Sequence, residues 1–277
     1  MPDTDVESLS LKECAERLGV HYMTVYRYVR LGMLPAHKEG AEWRVDPSDL
    51  DALRSGSRVP SARGRAPWPE RLKARLVAGD EAGAWQVVEA AMASGLEPKD
   101  VYLELIGPAL RTVGDEWAHG EGTIAEEHRA TAIATRLVGR LGRRFHVRGR
   151  PKGRVVVGTP PGERHALPVA MVADLMRGSG FEVIDLGADL PVESFVEAVV
   201  DASPVTAVAV SVTNPASTAE AARLIAALRG ATDVPIVIGG GAVTGEEQAR
   251  RLGADAWAPD APAAIAFVLD AKGRSGS

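Results

Sequence analysis

Three patterns of apolar and polar residues follow one another along the chain, and each predicts a different architecture. Between Leu11 and Arg54, short apolar stripes at helical spacing are broken by glycines and a polar hairpin. Between Trp68 and Leu141 the helical period is sustained, and from Arg154 onward solid apolar runs alternate with helical segments. In the first block, Ser10-Leu11-Lys12-Glu13 has the form of a capping box. Leu11, Cys14, Ala15 and Leu18 line one face of a two-turn helix that stops at Gly19. Met23 or Tyr22, with Tyr26 and Val29, marks a second helix ending near Gly32. Lys38 to Arg44 reads as a hairpin turning at Gly40, and Asp46-Pro47 opens a third helix to about Arg54. Two short helices about a tight turn, then a hairpin, predict a winged helix-turn-helix.

The second block divides at Gly79, at Gly95 to Pro98 and at Gly120 to Gly122. Its apolar positions (Leu72 and Leu76; Trp85, Val88 and Met92; Val101 to Val113; Ile124 to Leu141) predict a four-helix bundle. In the third, strand-like runs at 154–158, 181–186, 206–212, 235–238 and 256–257 alternate with helical segments near 167–178, 192–201, 217–229, 245–252 and 261–271. Five strands separated by helices predict a doubly wound, flavodoxin-like parallel α/β sheet. The expected division is a winged helix-turn-helix domain at 1–57, a flexible linker at 58–67, a four-helix bundle at 68–148 and an α/β domain at 152–277. A basic hinge, Arg148-Gly149-Arg150-Pro151-Lys152-Gly153, joins the last two.

Composition narrows the function classes. An apolar fraction of 45% and a charged fraction of 25% are ordinary for a soluble globular protein. The single cysteine, Cys14, excludes an internal disulfide framework, fits a reducing compartment and reads as a small core residue. No signal peptide or long uncharged apolar segment is present, so a cytoplasmic protein with no membrane partner is expected. A formal charge of -5 speaks against blanket affinity for nucleic acid. Residues 1–54 carry seven Lys and Arg against ten Asp and Glu, yet Arg17 to Arg44 carries five against two. Positive charge is therefore concentrated on the second helix and the hairpin. In a DNA reader of this kind His21, Tyr22, Thr24 and Arg27 would face bases, while Arg30, Lys38 and Arg44 hold phosphates. The alternative is a three-helix protein-interaction module.

Two constellations carry chemistry. The run Val155 to Pro168 breaks from a strand into a Gly/Pro-rich loop bearing Glu163 and His165, at the carboxyl edge where open α/β sheets bind ligands. A histidine with an acid two residues earlier has the form of a metal ligand and its orienting partner; a solvated loop histidine is the plain alternative. In the bundle, Thr123-Ile124-Ala125-Glu126 is a capping box that puts Glu127 and His128 in the first turn of the last helix. Nine residues separate Glu127 from Trp117, giving W-x9-E-H.

These residues resemble known families. The first 54 residues resemble the excisionase/MerR-like winged helix-turn-helix. Glu163-x-His165-x-x-Pro168, Ser211-Val212-Thr213 and Gly239-Gly240 resemble the D-x-H-x-x-G, S-x-L and G-G of base-off, His-on cobalamin domains. The intervals, 46 residues from His165 to Ser211 and 28 from Ser211 to Gly239, are similar to that family's. W-x9-E-H resembles the motif of the cobalamin-dependent photoreceptor regulators of the CarH/LitR type. The resemblance implies a lower axial cobalt ligand at His165 oriented by Glu163, and a nucleotide tail lying along Ser211, Thr213, Gly239 and Gly240. It also implies that Trp117, Glu127 and His128 surround the adenosyl group. Glu163 stands for Asp, Pro168 for Gly and Thr213 for Leu. Where that family has a histidine directly after the motif Trp, this chain has Ala118, with His119 one residue further as the candidate light-state ligand.

The expected function is a DNA-binding transcription regulator, not an enzyme, that uses adenosylcobalamin, or methylcobalamin, as its cofactor. In the resembled family a dark homo-oligomer holds the operator through several linked readers and is dissolved by light; a homo-oligomer is expected here, a tetramer being one candidate number that the sequence leaves open. A corrinoid carrier for a cobalamin-dependent methyltransferase is the alternative, and a degenerate cobalamin fold sensing something else is a third.

Overall fold

The computed structural model describes residues 8–30, 34, 36–39, 42–54 and 67–275. The side chains of Arg27, Arg30 and Lys38, the expected turn at Gly40 and all but the last residue of the expected linker 58–67 lie outside the described residues. The chain forms two compact units, Met1–Ala134 and Thr135–Ser277.

In the first unit, strand β1 (Leu9–Ser10) leads into α1 (Leu11–Leu18), followed by α2 (Tyr22–Arg30), β2 (His37–Glu39), β3 (Glu42–Val45) and α3 (Pro47–Arg54). The capping box is formed: Ser10 Oγ accepts from the Glu13 amide, and the Glu13 carboxylate accepts from the Ser10 amide. Gly19, with φ of 66°, closes α1 in the left-handed region. The antiparallel strands run in the order β1-β3-β2. Cys14, Val25, Leu34, Val45 and Leu50 form the core. The expected buried face of α2 needs one correction, because Tyr22 and Met23 are exposed and Val25 turns inward instead.

Four helical segments follow: α4 (Trp68–Ala78), α5 (Glu81–Ala93), a third that is composite, and α8 (Ile124–Leu141). The third starts as α6 (Pro98–Asp100), widens into a π-helical stretch (Val101–Ile106) and continues as α7 (Gly107–Ala118). The widening has a local cause. Pro108 has no N–H, and its ring would press on the carbonyl four residues back in an α-helix. Gly107 instead donates to the Tyr102 carbonyl five residues back. Leu72, Leu76, Val88, Tyr102, Leu105 and Ile106 are fully buried. Ile124, expected in the apolar stripe, is exposed at the helix start.

The second unit is built on a five-stranded, all-parallel sheet of β4 (Arg154–Gly158), β5 (Glu182–Asp185), β6 (Ala207–Ser211), β7 (Ile236–Gly239) and β8 (Ala256–Ala258). Their order is β5-β4-β6-β7-β8, the flavodoxin-like 2-1-3-4-5. The helices are α9 (Ala166–Gly178), α10 (Val192–Asp201), α11 (Thr218–Ala231), α12 (Glu246–Arg251) and α13 (Ala261–Ser275). Alternate strand residues serve opposite faces. Val156, Val208, Val210 and Ile238 pack with Phe195, Val199, Leu224 and Ile225 from α10 and α11. Val155, Val157, Ala209 and Val237 pack with Val169, Met176 and Val268 from α9 and α13. The chain direction across the sheet reverses between β4 and β6, so the loop after β4 emerges at the switch point where such sheets bind ligands.

Candidate functional site

That loop is organised by buried polar groups. Thr159, fully buried after β4, donates its hydroxyl to the Glu163 carbonyl (2.8 Å) and accepts the Asp189 amide (2.9 Å). Asp189, held at φ of 58°, in turn accepts the Gly162 amide on its carboxylate (2.7 Å). The loop is thereby tied to the segment after β5 before any ligand is considered.

At its end the Glu163 side chain, 1% exposed, holds two elements together. One carboxylate oxygen accepts the backbone N–H groups of Thr213 (2.7 Å) and Asn214 (2.6 Å), just past β6. The other accepts the His165 amide (3.1 Å) and pairs with His165 Nδ1. Burial pushes the Glu163 carboxyl up, but the Asn214 amide, the His165 ring and amide and the Thr213 amide outweigh it and hold the group below its usual range. An ionised carboxylate only accepts, so Nδ1 carries the hydrogen on that side, and Nε2 is the ring nitrogen left facing outward. The His165 side chain is 53% exposed and stands at the N-cap of α9. The arrangement is that of a metal ligand fixed in one tautomer from behind.

Beside it lies a cavity of about 160 Å³ between α9, α13 and the carboxyl ends of β4, β6, β7 and β8. Its wall includes Ser211, Gly239, Gly240, Pro168 and Asp260. The two glycines are required by the fold itself. A Cβ at Gly239 would lie 2.6 Å from the Ala258 carbonyl oxygen, and one at Gly240, where φ is 98°, would lie 2.3 Å from that of Val212. Pro168 sits in the first turn of α9, where no backbone donor is needed. Thr213 acts through its amide, on Glu163.

In the helical unit Trp117 closes α7 and is 48% exposed. The second capping box is formed: Thr123 Oγ1 accepts the Glu126 amide, and the Glu126 carboxylate accepts the Thr123 amide. Glu127 accepts the Thr131 hydroxyl (2.9 Å), and His128 Nε2 lies 3.9 Å from the Glu127 carboxylate. His119 forms the C-cap of α7, its Nδ1 2.7 Å from the Asp115 carbonyl. Near the N-terminus, His21 Nδ1 accepts the Met23 amide (3.2 Å), Tyr22 is exposed and stacks on Tyr26, and Thr24 follows in the first turn of α2. Arg44 is paired with Glu39 and Glu42.

Sequence reasoning missed Thr159, Asp189 and Asn214. The Thr-Pro-Pro-Gly run marked the loop; the Asn214 contact is a backbone amide and leaves no mark in residue type.

Residues 153–266 and, separately, 68–141 match the B12 binding domain families, and residues 8–57 match a helix-turn-helix domain. Trimethylamine corrinoid protein 2 of Methanosarcina mazei is 26% identical over 206 residues, covering 72% of this chain and 93% of that protein. A corrinoid protein of Desulfitobacterium hafniense is 26% identical over 203 residues, covering 71% and 93%. The solved monomethylamine corrinoid protein of Methanosarcina barkeri superimposes with a TM-score of 0.64 at 22% identity, over 72% of this chain and 95% of that one, and shares the fold. Together these support a cobalamin-binding protein with a helix-turn-helix and a cobalt corrinoid as cofactor. The named relatives are corrinoid proteins. Among the described residues no helix is long and apolar enough to cross a membrane.

Proposed function

We propose that the chain binds a cobalt corrinoid with His165 beneath the metal, and that the state of this cofactor governs binding of DNA by the N-terminal segment. The observation that carries the first half is the buried Glu163 carboxylate, which clamps His165 Nδ1 and leaves Nε2 outward. Among the described residues no three His, Cys, Asp or Glu side chains gather to hold a metal. A single oriented imidazole suits an ion whose other donors belong to a macrocycle. The residues present therefore fit a corrinoid. His165 would hold the cobalt through Nε2, Glu163 would orient that imidazole, and Ser211, Gly239 and Gly240 would line the slot for the nucleotide tail. Trp117, Glu127 and His128 are proposed to contact the upper substituent, an assignment that rests on the motif they form. A cobalamin bound here supplies a cobalt centre whose upper group is exchanged or, in the adenosyl form, released by light.

Carriage of a corrinoid for a methyltransferase is the second reading, and the named relatives favour it over the regulator. What favours the regulator is the helix-turn-helix match at 8–57. The M. mazei alignment leaves 28% of this chain without a counterpart and only 7% of the relative, about 16 of its residues, too few for such a domain. We accordingly propose a wing in β2 and β3, base contacts from His21, Tyr22, Thr24 and Arg27, and phosphate contacts from Arg30, Lys38 and Arg44. One such domain offers a small contact, so a homo-oligomer is proposed to engage several half-sites.

Two measurements test the proposal. Titrating adenosylcobalamin in the dark into wild type and His165→Ala should give a His-ligated absorption spectrum only with wild type; the same spectrum in both removes His165 as ligand. A promoter fragment should shift in a gel in the dark with adenosylcobalamin and be released after green light. Absence of DNA binding under every cofactor and light condition rejects the regulator and leaves the carrier.

A further inference from the structure

We infer that the exposed basic segment from Arg143 to Lys152 is a second, sequence-independent contact for the phosphodiester backbone of DNA. The inference rests on the DNA-binding half of the proposed function. Between Glu127 and Glu163 the chain has no Asp or Glu and carries nine Lys and Arg in 35 residues. The other 242 residues carry 23 Lys and Arg against all 37 Asp and Glu, a formal -14. This segment is thus strongly positive in a chain whose remainder is acidic on balance.

Arg143, Arg144, Arg148, Arg150 and Lys152 are exposed. Among the described residues, arginines elsewhere on this unit pair with carboxylates: Arg154 with Glu182, Arg164 with Asp189, Arg177 with Asp174, Arg223 with Glu220, Arg229 with Asp255 and Arg251 with Glu247. No such pair is described for these five. The segment is anchored without them. Phe145 is buried, with its ring against Gly178 of α9, and the Lys152 amide donates to the Gly180 carbonyl (2.8 Å). The fold therefore presents the five side chains and does not consume them.

The corrinoid does not account for them. The segment enters β4 at its amino end, whereas His165 follows the carboxyl end, five strand residues or roughly 15 Å away. An aromatic- or apolar-anchored protein interface is a poor match, because Val147 is the one exposed large apolar residue from 143 to 152. Phosphate contacts need only guanidinium and ammonium groups. The helix-turn-helix segment, net acidic over residues 1–54, is proposed to supply three phosphate contacts, Arg30, Lys38 and Arg44, to which these five would add.

The test uses the full-length, corrinoid-loaded protein and a variant with Ser at 143, 144, 148, 150 and 152. Fluorescence anisotropy on a promoter duplex and on a scrambled duplex, from 50 to 200 mM KCl, gives the slope of log affinity against log salt. Each lost phosphate contact flattens that slope by about 0.9, so the variant should flatten by up to about 4.5 on both duplexes and lose at least about tenfold in affinity. A control with Arg223→Ser and Arg251→Ser should keep the wild-type slope, and all three proteins should keep the bound-corrinoid spectrum. A wild-type slope in the five-site variant overturns the inference alone. No DNA binding by wild type overturns the regulator reading and the segment's role with it. Unchanged DNA slopes alongside lost binding to phosphatidylserine vesicles would assign the segment to a membrane surface.

Discussion

Replacing Glu163 by Gln keeps the length of the side chain but turns one of its two accepting oxygens into a donor. That NH2 would then face either the Thr213 and Asn214 amides or His165 Nδ1, and donors would meet donors. The expected cost is about 1–3 kcal/mol in urea unfolding of the cofactor-free protein. Cobalamin affinity should fall about 10- to 100-fold, the usual effect of losing a metal ligand's orienting partner. Unchanged values in both measurements would mean that Glu163 positions nothing. At this scale the sequence exposed His165 and Glu163 through their spacing and the Gly/Pro run, but not what holds them. Thr159, Asp189 and the amide of Asn214 are brought in by the folded backbone. The Gly239-Gly240 pair was legible as a motif, while its cause, the closeness of Ala258 and Val212, was not.

Helix starts carry the acid sensitivity of the fold. The carboxyls of Glu13, Asp80 and Glu126 are held below their ordinary range, chiefly by backbone N–H donors at Ser10, Gly83 and Thr123. A lowered folded-state value means the stabilisation is complete above the ordinary carboxylate pKa and is lost as pH falls through the lowered one. Amide protection factors, corrected for the intrinsic exchange rate at each pH, should therefore fall in the first turns of α1, α5 and α8 below about pH 4. Thr123→Ala should do the same to α8 at neutral pH, at a cost of about 1 kcal/mol. Equal protection at pH 3 and pH 7 would contradict this. Both capping boxes were legible because a cap is local, four residues long and carried by side chains. The two-residue β1 and the π-helical stretch of 101–106 were not: the first exists only because β3 lies beside it, and the second answers Pro108 through the backbone, Gly107 donating to the Tyr102 carbonyl five residues back.

On the scale of the whole molecule, the alternation of apolar runs and helical segments predicted the parallel sheet, and the order β5-β4-β6-β7-β8 completed what periodicity cannot give. The division into compact units falls within α8, and no local signal marks it, because helical periodicity runs on through Ala134. A ligand that binds only the folded state stabilises it by mass action, about 2.7 kcal/mol at a hundredfold excess over Kd. Calorimetry with and without cobalamin should show this gain in wild type and a reduced one in His165→Ala; equal gains would place the ligand elsewhere. The clamp on His165 also has a history. Glu163 meets amides 50 and 51 residues further along, so the imidazole is set only in a chain whose β4 and β6 have already paired. At ribosomal rates of roughly 5–20 residues per second, about 8–31 s separate synthesis of the helix-turn-helix segment from that of Asn214. Each newborn chain therefore passes through an interval in which its helix-turn-helix segment has been made and the clamp on His165 does not yet exist.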